Sequence, residues 1–176
     1  MSTNFAKKIK NIKNFLFLIY FIERICMNIK IVRAKKEDKS FILKANKEID
    51  ECSYIATSRL SKNIDVDLFE RKKCVCLIAK DGQKQVGMIL FSKVYWADRG
   101  EGVYVSQVFV GKEYRRKNIF KLLMKKAILY YKNTNFVTCL VAKKNQNMID
   151  AMHKLSFEDE DMISYAKNFE ILVELL

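Results

Sequence analysis

Residues 103–123 read VYVSQVFVGKEYRRKNIFKLL, and the stretch falls into three pieces. Residues 103–110 are an almost unbroken run of apolar, β-branched and aromatic side chains, of the length expected for a buried strand. Residues 111–118 are short, polar and basic. From Ile119 the spacing becomes helical, with Ile119, Leu123, Ala127 and Tyr130 on one stripe. A strand therefore feeds a basic turn, and the turn feeds a helix. The first turn of a helix leaves backbone N–H groups without internal acceptors, and the helix dipole puts partial positive charge there. Phosphate oxygens satisfy both. Arg115, Arg116 and Lys117 add full charges at the same spot, and arginine can engage phosphate through two parallel hydrogen bonds.

Outward from this stretch, the hydrophobic periodicity places the other elements. Residues 29–33 alternate as a first strand. Lys36, Glu37 and Asp38 open a helix, with Asp38 or Ser40 as N-cap and Phe41, Ile42, Ala45 and Ile49 as its apolar face. A less regular helical stretch covers residues 58–71 and carries Asp65, Asp67 and Glu70, a candidate set for a cationic substrate or simply a solvated face. Residues 74–80 and 85–95 form a hairpin around Asp81-Gly82. With 103–110 they make three consecutive antiparallel strands. The helix after the basic turn runs from 118 to 132, and 136–142 is a further buried strand reached by a parallel crossover. Residues 145–155 form a short helix with Met148, Ala151, Met152 and Leu155 on one face. Residues 157–165 and 169–176 close the chain as a strand pair. The fold class is α/β (α+β), a mixed central sheet of about seven strands with flanking helices.

Composition bounds the function. The chain has 176 residues, half of them hydrophobic, with no proline and five glycines, which suits one ordinary domain with a real core. The net charge of +13 admits nucleic acid, a membrane surface or acidic ligands, or a lysine-rich bias spread over solvated faces. No basic run interleaved with aromatic residues singles out nucleic acid. Five cysteines lack metal-ligand spacing, and Cys74 and Cys76 share one face of a strand. His153 is the only histidine, so no Ser-His-Asp or Cys-His arrangement emerges and no metal is expected. Reduced thiols fit a cytoplasmic protein. Residues 1–26 differ: Lys7, Lys8, Lys10 and Lys13 precede a short apolar run over 15–22. That resembles the first two regions of a signal peptide, without a cleavage site after it, and is too short to span a bilayer. An interfacial helix is open, which would bring in a membrane if the segment is retained. The reading adopted is a non-native extension, with the domain proper at 27–176.

The run V-F-V-x-x-x-Y-R-R-K-N-I-F-x-x-L-L resembles the acetyl-CoA signature of the GNAT family of N-acetyltransferases, Arg/Gln-x-x-Gly-x-Gly/Ala between a strand and a helix. It maps onto Arg115, Arg116, Lys117, Asn118, Ile119 and Phe120. Asn118 stands at the first glycine, and Phe120 at the small residue. Asparagine is the mildest non-glycine replacement where φ is positive. The order strand–helix–helix–strand–strand–strand–helix–strand–helix–strand–strand is also the family's. A second landmark, Asn145-x-x-x-Ile149 followed by Lys154-Leu155-Ser156-Phe157, is similar to its N-x-x-A-I-x-x-Y-x-K-x-G-F.

The resemblance implies direct acetyl transfer from acetyl-CoA, as co-substrate, to a primary amine of a small molecule or protein. It assigns the pyrophosphate to the backbone from Arg115 to Phe120. It assigns the pantetheine arm to the backbone of Val108, Phe109 and Val110, paired like an added strand, and one further contact to Asn145. Members often dimerise, so a homodimer is open. The proton-transfer groups do not carry over. Gln107 stands near the position of the family's glutamate base, and Met152 at that of its tyrosine acid. Glu101 or Glu113 acting through water, and Tyr104 if it faces the cleft, are the remaining candidates. Sequence alternation sets Tyr104, Ser106, Val108 and Val110 against Val103, Val105, Gln107 and Phe109 without saying which set is inward. No catalytic residue is therefore assigned. Two other functions stay open: a catalytically degenerate module that only binds CoA, and a basic nucleic-acid or ribosome-associated protein.

Overall fold

The structure is a computed structural model in which residues 29–53 and 64–160 are described. The expected extension at 1–26 lies outside them. The chain divides after Asn145 into two compact units.

In the first unit the strands are β1 (Ile29–Arg33), β2 (Val75–Asp81), β3 (Lys84–Trp96), β4 (Gly100–Val110) and β5 (Phe136–Cys139). They form one sheet in that order. β1 to β4 pair antiparallel with their neighbours, and β5 runs parallel to β4. The helices are α1 (Lys39–Ser53), entered through a 3-10 turn at Lys36–Asp38, and α2 (Ile119–Ile128), which joins β4 to β5. A π-helical turn spans Asp65–Glu70.

Burial of apolar side chains fixes both faces of the sheet. On one face Ile42 and Ala45 of α1, with Ile64 and Leu68, pack against Cys76, Ile78, Met88, Leu90 and Phe109. Phe41 meets Phe109 edge-on, with ring centroids 6.1 Å apart. On the other face α2 buries Ile119, Leu123, Met124 and Ala127. There Gly87 lets the helix come close: a Cβ at that position would lie 3.4 Å from both Ile119 Cγ2 and Leu123 Cδ1. Phe91 also lies on this face, edge-on to Tyr130 and Tyr131 at 5.4 and 5.8 Å.

Asp38 is fully buried beside the start of α1. Its carboxylate accepts the Lys35 N–H at 3.0 Å and the Gln85 side-chain amide at 2.8 Å, and pairs with Lys80 Nζ at 3.0 Å. Burial opposes its ionisation. The Lys35 amide, Gln85 and Lys80 outweigh burial and hold its carboxyl below the ordinary range. A depressed folded value means that Asp38 stabilises the fold above its unfolded value of about 4, and that this contribution is lost as pH falls through the folded value. Asp38→Asn is expected to cost about 2 kcal/mol at pH 7, with the deficit shrinking below about pH 4. Urea unfolding at both pH values measures it; an equal deficit at both would show that the charge is not what matters.

Several element boundaries differ from those expected. α2 stops at Ile128, not 132; Leu129 is exposed, and Tyr130 keeps only an edge-on contact with Phe91. β5 ends at Cys139, not 142, and Leu140 is 68% exposed. Residues 54–63 of the stretch read as a second helix lie outside the described residues.

The second unit opens with α3 (Gln146–His153). The Leu155 and Phe157 N–H groups both donate to the Met152 carbonyl, at 2.9 and 3.1 Å, and close the helix. Residues 157–160 are not in a strand, and the rest of the expected closing strand pair lies outside the described residues, so the described sheet has five strands.

Candidate functional site

β4 does not keep the simple alternation of its sequence. Leu90 of β3 pairs with Gln107, while the next residue, Phe91, pairs with Val105. Ser106 is therefore an extra residue, a β-bulge, and its hydroxyl donates to the Leu90 carbonyl at 3.0 Å. The bulge exchanges the faces halfway along the strand. Gln107 and Phe109 lie with Leu90 and Met88 on the α1 face, and so does Tyr104, paired with Ser92. Val105, Val108 and Val110 lie with Phe91, Ile89 and Gly87 on the α2 face. Neither set expected from alternation is inward as a whole. Tyr104 and Gln107, assigned by alternation to opposite faces, share one.

The same region opens the sheet. β5 pairs with β4 only from Gly102 to Val105. Among the described residues, the backbone of β4 beyond the bulge, including Val108, Phe109 and Val110, has no strand on its β5 side. Unpaired strand N–H and C=O groups are a template for another extended chain.

β4 ends in the basic turn. Arg115 Nε donates to the Val110 carbonyl at 3.2 Å, tying the turn back to the strand. Arg116 and Asn118 both adopt left-handed φ, of 63° and 60°, with Lys117 between them. Alternation of this kind curls successive N–H groups toward one point, the geometry of an anion nest. Asn118 N-caps α2 with φ 60° and no side-chain cap. The first helical bond, Leu122 N–H to the Asn118 carbonyl at 3.0 Å, leaves the amides of Ile119, Phe120 and Lys121 ahead of the helical ladder. The asparagine thus takes the conformation for which glycine is usually used.

Tyr114 braces the turn from below. Its hydroxyl donates to Asp81 Oδ2 at 3.0 Å, and the ammonium groups of Lys117 and Lys84 lie 4.9 and 5.2 Å from its ring centre. That hydrogen bond, with burial and the Asp81 charge, pushes the Tyr114 phenol up. The structure therefore brings Val110 and the segment from Arg115 to Phe120 together. The side chains of Arg115, Arg116, Lys117 and Asn118 are exposed, whereas the Ile119 side chain is core and only its backbone faces the turn. Asn145 stands on the chain leaving β5, its N–H bonded to the Ala142 carbonyl at 2.8 Å.

The candidate carboxylates are engaged elsewhere. Glu101 pairs with Lys93 at 2.6 Å and Glu113 with Lys84 at 3.3 Å. Of the acidic set on the π-helical turn, Asp65 pairs with Lys39 and Asp67 with Lys73 at 3.1 Å, so these two are tied to lysines. Met152 of α3 is buried. Tyr104 is half-buried; burial first, then the Cys139 thiol, pushes its phenol up. Among the described residues no cluster of histidine, cysteine or acidic groups could hold a metal ion, and no helix is long and apolar enough to cross a membrane.

Two residues carry buried polar atoms whose lack of a partner the sequence did not reveal. Gln107 Oε1, and both polar side-chain atoms of Asn46, are buried without a hydrogen-bond partner. Asn46 is only 4% exposed, within the stripe of Ile42, Ala45 and Ile49. A polar residue interrupting an apolar stripe was the available signal. Gln107 was singled out by its place near the family's base, but its inward face was not legible, because the bulge that turns it leaves no mark in the pattern.

The sequence profile of the acetyltransferase (GNAT) family matches residues 42–157. No curated protein sequence is significantly similar to the chain. Among solved structures, a possible acetyltransferase from Clostridium difficile 630 is 25% identical with a TM-score of 0.66, the match covering 80% of this chain and 97% of that one. Aminoglycoside N-acetyltransferase AAC(6')-Iy in complex with CoA is 13% identical with a TM-score of 0.66, over 80% of this chain and 95% of that one. Aminoglycoside 6'-N-acetyltransferase AAC(6')-Ih from Acinetobacter baumannii is 19% identical with a TM-score of 0.64, over 80% and 99%. The two aminoglycoside enzymes match in fold.

Proposed function

The chain belongs to the acetyltransferase (GNAT) family, and from that premise we propose that it transfers the acetyl group of acetyl-CoA directly to a primary amine. The observation that carries this reading is one juxtaposition: a β4 edge open beyond the Ser106 bulge runs straight into a left-handed basic turn at the start of a helix. The open edge suits an extended pantetheine arm, and the turn suits a pyrophosphate.

In this reading the N–H groups from Arg116 to Phe120 hold the pyrophosphate, and Arg115, Arg116 and Lys117 neutralise its charge. The backbone of Val108, Phe109 and Val110 binds the pantetheine arm as an added strand, and Asn145 contacts it from the β5 side. Bound acetyl-CoA supplies an activated acyl carbon whose bond to sulfur breaks as the amine nitrogen bonds to it. The chain orients the two reactants, and proximity alone accounts for a large share of such a rate. CoA, which AAC(6')-Iy binds, enters here as part of the proposal. The free thiols of Cys74, Cys76 and Cys139 fit a cytoplasmic setting.

Isothermal titration of the full chain with acetyl-CoA, followed by thiol release against a panel of amines, tests the proposal. Saturable heat and amine-dependent thiol are expected. No heat at millimolar ligand overturns it, and binding without thiol for any amine turns the protein into a CoA-binding module.

A further inference from the structure

The Oε1 atom of Gln107 is buried and has no hydrogen-bond partner. It lies on the α1 face of β4, next to the Ser106 bulge and where the open edge begins. A buried carbonyl oxygen without a donor carries a desolvation penalty that no hydrogen bond offsets, so a group that brings an N–H to it is held there. Resting on the acetyl transfer proposed above, we infer that Gln107 Oε1 accepts the N–H of the acceptor amine, and that the acceptor is bound as a free amine and not as an ammonium ion.

The surroundings carry the second half of this inference. From β3, the groups beside Gln107 are Leu90 and, one pair further on, Ser92. From α1 and β2, the same face receives Phe41, Ile42, Ala45 and Cys76, and the Cys76 thiol is pushed far up by burial. On β4 itself, Tyr104 is raised by burial, and the β5 residue on this face is Thr138, paired with Tyr104. Each of these is neutral near pH 7. The carboxylates nearest in the chain, Glu101 and Glu113, are held by Lys93 and Lys84, and Asp38 by Lys80. The Asp65–Glu70 turn packs on the same face through Leu68 and Phe69; its Asp65 and Asp67 are held by Lys39 and Lys73, and Glu70 is exposed. An ammonium ion at Gln107 would meet a neutral carboxamide, and burying a cation beside a neutral group is costly. A neutral amine meets no such penalty.

The substrate class follows. An α-amino group titrates near about 8 and a lysine side chain near about 10.4, so the free-amine fraction at pH 7 differs about 200-fold between them. The preferred acceptors are amines of the first kind, such as the α-amino groups of amino acids or peptides. The step balances without an enzyme base. The neutral nitrogen forms its bond to the acyl carbon, the carbon–sulfur bond breaks, and the nitrogen's surplus proton ends on the departing thiolate to give CoA and the amide.

The test is thiol release by the full chain from pH 6 to 9 with alanyl-alanine amide and with N-α-acetyl-lysine amide. The expected preference for the dipeptide in kcat/KM is about 200-fold at pH 7 and about 20-fold at pH 9, before differences in intrinsic reactivity. The dipeptide curve should level near about pH 8, its own amine's value, while the lysine curve keeps rising. Curves that level at one shared pH report an enzyme base and overturn the inference, as does a lysine preference at pH 7. Thiol from neither amine, in a chain that releases thiol with another amine of the panel, overturns this inference alone; thiol with no amine, in a chain that still binds acetyl-CoA, removes the acetyl-transfer reading and this inference with it. Gln107→Met should raise KM for the dipeptide about tenfold with acetyl-CoA affinity unchanged. An unchanged KM in that variant also overturns the inference. Gln107→Glu should raise the lysine rate and give both substrates one common inflection.

Discussion

Replacing Arg115 and Arg116 together by alanine is expected to raise the Kd for acetyl-CoA about 100-fold. A charge-assisted hydrogen bond contributes about 1.5–3 kcal/mol. Both guanidinium groups are exposed, so the lower end applies to each, and two such losses come to about 3 kcal/mol. The nest amides of the turn remain in the variant, which keeps the loss from being total. Arg115 has a second task, since its Nε holds the Val110 carbonyl at 3.2 Å. The single Arg116→Ala variant isolates the charge effect and is expected to cost about tenfold. Isothermal titration at low and at physiological salt is the measurement. Binding by the native chain should weaken more steeply with salt than binding by the double variant, because screening acts on the charges that were removed. Equal affinity in all three proteins would move the phosphate site away from this turn.

Gly87→Val is expected to destabilise the fold by about 3 kcal/mol and lower Tm by about 10 °C. A Cβ at Gly87 would lie 2.9 Å from the Phe109 carbonyl oxygen, which belongs to the sheet and cannot swing aside. On the other side it would press on Ile119 and Leu123, which are 1% and 0% exposed and have no room to yield. Relief comes most easily by lifting the first turn of α2. That turn carries the amides that follow Asn118, so acetyl-CoA affinity should fall although Gly87 touches no ligand. Thermal unfolding and titration of the same variant check both effects. Lost stability with unchanged affinity would show that the start of α2 is not part of the binding site.

Much of the architecture was legible from pattern. The strand at 29–33, the hairpin around Asp81-Gly82 and the strand–turn–helix around Arg115 were read from period and composition, because burial on defined faces imposes those periods. The left-handed Asn118 was legible from the residue type, since few side chains other than asparagine tolerate that backbone. The ends of α2 and β5 were not, because apolar residues such as Leu129 and Leu140 continue each pattern after the core has ended. Nor were the partners of the acidic residues. Asp65 meets Lys39, and Glu113 meets Lys84, across separations that only folding closes.

The sequence by itself determined the order of the elements, the basic anion-seeking turn and membership of the family, because each is written in local pattern and residue type. The tertiary structure alone decided which residues face the cleft. Residues 103–110 are apolar on both faces apart from the adjacent Ser106 and Gln107, one on each alternating face, so alternation alone does not mark Ser106 as the extra residue. Pairing with β3 forces the bulge there, and the bulge turns Gln107 to the same side as Tyr104, leaving its oxygen without a partner.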